Sequence, residues 1–257
     1  MGIRVFVLLV SFWTLAFSQT ARSITAIVSA ASGAPAIAPN SIATIYGVNL
    51  TDRTESAATL PLPMQLAGIA VVVNGPGLST NSQLLYASPT QINFVVPDGI
   101  LPGNDGVSVV APEIIYATAS VPVQAVAPAI FSANGNGKGV AAAVGIRRVI
   151  PTNKQSTVDV FACDAPAGNC HPIPIDVGID APVTLELFGT GIRGGSNIAA
   201  TIGGQSVPVE YAGPQPQYPG LDQVNLPLIL SLRGAGTVDI VVTVDGIASN
   251  PVQVAIQ

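Results

Sequence analysis

Apolar residues in this chain recur at every second position, in short runs that clusters of Gly, Pro, Asn and Asp keep interrupting. Alternation of that kind puts one face of an extended segment in a core and the other in water. No window sustains the spacing of an amphipathic helix beyond two turns. Thr237–Asp245 is the clearest run: Val238, Ile240, Val242 and Val244 share one face, and Asp239, Val241, Thr243 and Asp245 the other. Val183–Phe188 repeats it, with Val183, Leu185 and Leu187 inward and Thr184 and Glu186 outward. Further strands are expected at Ile42–Tyr46, Ile69–Val73, Gln91–Val95, Gly106–Val110, Ile114–Val123, Val140–Ile146, Thr157–Ala162, Ile198–Ile202 and Pro251–Ile256. Turn clusters separate them, among them Asn74–Gly77, Pro97–Gly99, Pro102–Gly106 and Asn134–Gly139. With 26 Gly and 22 Pro a helical bundle is excluded, and the expected class is all-β, a sandwich or a barrel.

The runs also repeat. Ile45-Tyr46-Gly47-Val48-Asn49-Leu50 returns loosely as Leu187-Phe188-Gly189-Thr190-Gly191-Ile192, and Tyr86-Ala87-Ser88-Pro89 as Tyr211-Ala212-Gly213-Pro214. Gln91-Ile92-Asn93-Phe94 returns as Gln223-Val224-Asn225-Leu226, and Ala119–Gln124 as Ala248–Gln253. Four matches in one order imply two copies of one β unit, each of roughly 80–100 residues, the size of an immunoglobulin-like sandwich. The expected organisation is a leader over residues 1–18, a first unit over 22–128 and a second over 129–257. Phe131–Asp180 has no counterpart in the first copy and is assigned to the second unit as added strands with a cysteine loop.

The leader reads as an export signal. Met1–Arg4 is a short basic start, Val5–Phe17 an uncharged apolar run too short to span a bilayer with ease, and Ala16-Phe17-Ser18 a small-residue cleavage site, so cleavage is expected before Gln19. An uncleaved N-terminal anchor is the alternative. Cleavage removes Trp13, the only Trp, and Arg4, leaving eight basic residues against fourteen acidic ones, a net charge of −6. The expected location is extracellular or in the cell envelope, with membrane contact only through the export signal. Cys163 and Cys170 bracket a turn-rich hexapeptide, and in an oxidising compartment they are expected to pair. The rivals are free thiols and a zinc site, since His171 follows Cys170. Two Cys and one His make at most three ligands, however, and neighbouring side chains on a strand point apart.

The motifs Ala38-Pro39-Asn40-Ser41 through Gly47, Tyr86-Ala87-Ser88-Pro89-Thr90-Gln91-Ile92-Asn93-Phe94, Leu187-Phe188-Gly189-Thr190-Gly191-Ile192-Arg193 and Tyr211-Ala212-Gly213-Pro214 through Pro219-Gly220-Leu221-Asp222-Gln223-Val224-Asn225 carry a family resemblance. From about Ile24 to its end the chain resembles the exported acidobacterial proteins with a Solibacter-type C-terminal domain of unknown function. Each half also resembles the IPT/TIG type of immunoglobulin-like domain of cell-surface and extracellular proteins. The resemblance implies two IPT/TIG-like β-sandwich units and carries no catalytic or ligand residues over. Some longer members have propeller repeats upstream, where this sequence has only the leader; an activity belonging to such a module is expected to be absent.

Chemistry is sparse in the sequence. Charged residues make up 9% of the chain, against roughly 25% in an ordinary domain, and the nine Lys and Arg are too few for a nucleic-acid face or a polybasic membrane anchor. There is no Gly-x-Ser-x-Gly elbow, and His171 is the only histidine. The glutamates Glu55, Glu113, Glu186 and Glu210 show no spacing that would pair two carboxyls across a cleft, and read as solvated surface. Asp98-Gly99 and Asn104-Asp105-Gly106 lack the calcium-loop pattern and read as turns. Gly135–Gly139 lacks phosphate-loop spacing and reads as a flexible hairpin.

The repeated Gln-x-Asn has two readings. Gln91 with Asn93, and Gln223 with Asn225, share a face; beside Tyr86, or Tyr211 and Tyr218, they form a ligand face for sugar hydroxyls. Alternatively the amides satisfy backbone groups where a strand enters a turn. No catalytic residue, metal or cofactor is expected. The sequence is therefore read as an exported non-enzymatic β-sandwich protein acting in adhesion or scaffolding, its partner an extracellular protein or a glycan. A carbohydrate-binding module is the alternative, and a hydrolase of unfamiliar type comes third.

Overall fold

The computed structural model describes residues 21–257 apart from Glu113 and Ala167. The expected leader, with Trp13 and the cleavage site before Gln19, lies outside the described residues, as does Glu113. The first half runs β1 Ser23–Ser29, β2 Ile42–Val48, β3 Glu55–Ser56, β4 Ala70–Gly75, β5 Leu78–Asn81, β6 Gln83–Ala87, β7 Gln91–Val95, β8 Gly103–Ala111 and β9 Ile114–Val123. The second runs β10 Ala129–Ile130, β11 Ala143–Val149, β12 Lys154–Asp159, β13 Phe161–Asp164, β14 Asn169–Pro172, β15 Val183–Thr190, β16 Ile198–Ile202, β17 Gln205–Val207, β18 Tyr211–Pro214, β19 Asp222–Pro227, β20 Gly236–Val244, β21 Ile247–Ala248 and β22 Val252–Ile256. The helical content of the described residues is one 3-10 turn, Leu230–Leu232. The class is all-β, as the alternation requires.

Strands pair into antiparallel sheets. One has the order β1-β2-β7-β6-β3 and another β5-β4-β8-β9. Their inward residues share one core, in which Ile45, Leu84, Ile92 and Phe94 of the first sheet meet Val71, Val73, Val107 and Val109 of the second. The other half repeats this order: β11-β15-β19-β18 stands where β1-β2-β7-β6 stands, and β17-β16-β20 with β22 where β5-β4-β8-β9 stands. Its core holds Leu185, Leu187, Val224 and Leu226 against Ile202, Ile240, Val242 and Val244. The repeated motifs occupy matching registers. Ile45 faces Ile92 and Leu187 faces Val224; Tyr86 faces Asn93 and Tyr211 faces Asn225. One core cluster draws its residues from Ile27 to Val123 and the other from Val126 to Ile256.

A polar contact at the end of β15 joins the halves. Thr190 is fully buried; its Oγ1 accepts the Ile42 N–H at 2.7 Å and donates to the Gly220 carbonyl at 2.8 Å. Gly220, at φ +80°, backs onto Ile42 and Val95, where a side chain would collide. Next to it Asp222, also fully buried, accepts N–H groups from Ile192 (2.7 Å) and Arg193 (3.3 Å) and the Arg193 Nε at 2.6 Å. Burial pushes its carboxyl above the ordinary range, and those donors with the Arg193 charge pull against the rise.

Several expectations need correction. The run Thr157–Ala162 is not one strand: Val160 turns into the core and accepts the Ile173 N–H, so β12 ends before it and β13 starts after it in a different sheet. The strand expected at Val140–Ile146 starts at Ala143, because Val140 and Ala141 bridge Gln253 and Ser132 instead of joining the β11 ladders. The Gly135–Gly139 hairpin is held from several sides. Asn134 Oδ1 accepts the Val140 N–H, Asn250 Nδ2 donates to the Gly137 carbonyl, and Gly137 lies so close to Ala31 and Ser32 that a Cβ would overlap their backbone. Asp105 is not a turn residue but a buried member of β8.

Candidate functional site

In each half, a central strand carries the Gln-x-Asn pair on the outside of a sheet whose inside is core. In β7, Ile92 and Phe94 are fully enclosed while Gln91 and Asn93 remain half-exposed; in β19, Val224 and Leu226 are enclosed while Gln223 and Asn225 face out. The amides bond to one another and not to the backbone. Gln91 Nε2 donates to Asn93 Oδ1 at 2.9 Å, and Gln223 Nε2 to Asn225 Oδ1 at 2.9 Å. Each pair leaves the Asn amide N–H groups and the Gln carbonyl oxygen directed along the outer face.

The two faces differ in their tyrosines. In the first half Thr44 Oγ1 adds a second bond to Asn93 Oδ1, and β3 extends the sheet past Tyr86, which is half-buried opposite Ser56. In the second half β18 forms the edge of the sheet, and the residue two places after Tyr211 on the same face is Gly213. A Cβ built on Gly213 would meet the Tyr211 hydroxyl oxygen at 3.2 Å, Cζ at 3.4 Å and Cε2 at 3.8 Å. Those distances put it above the plane of the phenol, over its hydroxyl end. The ring therefore lies flat on Gly213, and its hydroxyl donates to the Pro214 carbonyl at 2.6 Å. With 40% of its surface exposed, Tyr211 remains open to solvent. The matching position in the first half is Ser88, buried and bonded to the Gln91 carbonyl, and no such plate forms there.

Across β19 from the plate, the outer face dips into a polar concavity of about 220 Å³. Arg148, Gln155, Thr184, Glu186, Glu210 and Asn225 line it. Glu186 stands opposite Asn225 in register, and Thr184 Oγ1 lies 3.5 Å from Glu210 Oε2. The sequence placed Glu186 and Glu210 on the surface as unrelated residues. Only the pairing of β15, β19 and β18 brings them to one depression, with Asn225 between it and Tyr211.

Tyr218 is not part of this face. It is 59% exposed on the Pro214–Pro219 loop, where Gln215 Oε1 accepts the N–H groups of Gln217 and Tyr218. There it borders an open groove between the halves with Leu60, Pro61 and Arg193. Cys163 and Cys170 stand directly opposite across the β13–β14 hairpin and form a disulfide, so no cysteine is free among the described residues. His171 sits beside the disulfide with Nδ1 3.4 Å from Asp164 Oδ2, both side chains more than half exposed. Among the described residues no group of three His, Cys, Asp or Glu is placed to hold a metal ion, and no helix is long and apolar enough to cross a membrane.

No protein-family model matches the chain, and no curated protein sequence matches it.

Proposed function

We propose that this is an exported, non-catalytic β-sandwich protein that works by binding at or outside the cell surface, as an adhesion or scaffold element built of two IPT/TIG-like units over residues 22–128 and 129–257. The observation that carries the reading is the cross-strand Cys163–Cys170 disulfide, closed in register on a surface hairpin of an all-β chain. Such a bond persists in oxidising compartments outside the cytoplasm. Support also comes from the repeated strand order, which gives two cores carrying wide outward sheet faces. Carbohydrate binding is the second reading, and the flat, half-open Tyr211 ring favours it.

Expression with the native leader in a bacterium that has an oxidising envelope compartment tests the first reading. The protein should be recovered outside the cytoplasm, begin at or near Gln19 by mass spectrometry, lack tryptophan fluorescence, and resist alkylation of Cys163 and Cys170 until reduced. Retention in the cytoplasm with Met1 intact and both thiols reactive would overturn it.

A further inference from the structure

We propose that the outer face of the β12-β11-β15-β19-β18 sheet is a binding site for a neutral oligosaccharide, which stacks on Tyr211 and is held through its hydroxyls by Asn225, Gln223, Glu186 and Glu210. The inference rests on the second reading above and gives it a place and a ligand class.

The stacking surface comes first. A tyrosine on a sheet normally stands away from the surface and moves among rotamers. Here Gly213 leaves room for the ring to lie down, and the bond to the Pro214 carbonyl fixes its far end. The ring is held at its hydroxyl end and stays 40% exposed, a fixed flat surface that suits the weakly polar C–H face of a pyranose ring. The plate is formed before any ligand arrives, so little side-chain freedom is lost on binding.

The polar groups fit hydroxyls in the same way. A sugar hydroxyl both donates and accepts, and it is best met by neighbouring groups that offer both roles. Next to the plate, the Gln223–Asn225 bond orders two amides side by side, with donors on Asn225 and an acceptor on Gln223 left available. Beyond Asn225, Glu186 and Glu210 add acceptors and Thr184 a hydroxyl within the concavity. Two carboxylates against the single guanidinium of Arg148 make this lining unfavourable for uronate, sulfate or phosphate groups. The first half carries the same Gln-x-Asn pair but no plate, since Ser88 replaces glycine and Thr44 bonds its Asn93. The site therefore belongs to the second half alone.

The test is calorimetric titration of the purified mature protein with gluco-, xylo-, galacto- and manno-oligosaccharides, and with oligogalacturonate as the acidic arm. At least one neutral oligosaccharide should bind at about millimolar Kd or tighter, and oligogalacturonate should not. Tyr211→Ala should weaken binding by about tenfold or more. Gly213→Val should do the same with the tyrosine still present, because the added side chain lifts the ring from its seat. Tyr86→Ala should leave affinity unchanged, and circular dichroism should show all three variants folded. Absence of binding to every neutral sugar, a preference for the acidic one, or equal affinity in folded Tyr211→Ala would overturn the assignment. Export and disulfide formation are read in a separate assay, so a protein that is exported and binds no sugar fails here without failing there.

Discussion

Asp105 shows how one residue can work against the fold that contains it. It lies in β8 at 2% exposure, and its Oδ2 has no hydrogen-bond partner. Gly75 and Gly103 leave room for the carboxylate without donating to it. Burial raises its pKa above the ordinary 3.8. The folded state then holds this proton more tightly than the unfolded chain. That contribution to stability is complete below the unfolded value and is lost as pH rises through the folded one. Asp105→Asn should stabilise the protein at neutral pH by about 1 kcal/mol, the low end for an unpaired buried polar group near a strand end. In urea titrations the gain should shrink as the pH falls toward 3.8; a gain independent of pH would contradict the account. Phe94 and Gln91 make the opposite comparison within β7. Phe94→Ala empties a fully enclosed core position and should cost about 3–5 kcal/mol. Gln91→Ala removes a half-exposed amide bonded only to another side chain, and chemical denaturation should show a loss below about 1 kcal/mol.

At the scale of elements, glycines and polar side chains decide how strands end and meet. β15 stops where Gly189 and Gly191 approach the backbone at Ala127 and Ala129 too closely for any side chain. The turn that follows is held by Asp222, reaching from the start of β19 to the N–H groups of Ile192 and Arg193. Removing the carboxylate leaves the Ile192 N–H without its partner and the Arg193 guanidinium with the Leu221 carbonyl alone. Asp222→Ala is expected to cost about 3–5 kcal/mol, the usual loss when half of a buried ion pair is deleted. A thermal shift no larger than that of an exposed-loop substitution would show that the turn holds without it. The Tyr211 plate has the same kind of origin: an edge strand whose glycine allows an aromatic ring to lie along it.

Over the whole molecule, one strand order recurs in both halves, and the halves carry different surfaces. In the first, Tyr86 is half-covered by an added strand; in the second, Tyr211 is open beside a polar concavity. The halves meet through Thr190, whose hydroxyl accepts the Ile42 N–H from one side and donates to Gly220 on the other. Thr190→Val keeps the volume and leaves both backbone groups buried without a partner. It should cost about 1–3 kcal/mol. Native-state hydrogen exchange should show the Ile42 amide opening faster while amides deep in β7 and β19 are little changed. Uniform acceleration throughout both halves would place the effect in global unfolding and not at the junction.

Much of this architecture is written in local pattern. The bounds expected for β7, β9 and β16 hold to the residue, and in β7 they follow from alternation, because a half-buried strand must alternate. The repeated motifs marked equivalent positions in both halves. Cys163 and Cys170 announced their pairing because they are close in sequence on either side of a turn. What stayed hidden depends on strands far apart in the chain. Val160 breaks a run of strand-like residues because a core assembled by other elements takes its side chain, and nothing within the run reveals that. Glu186 of β15 and Glu210, just ahead of β18, share a depression only because β19 lies between β15 and β18. In the sequence Tyr211 stands out only through Gln223 and Asn225. Its flat seat comes from Gly213, a difference from Ser88 that acquires meaning only once both lie at the same place on a folded sheet. The sequence by itself determined which residues of a strand share a face, since side chains alternate along an extended chain. Tertiary structure alone decided which outward residues become neighbours, since that depends on the order in which the strands pair.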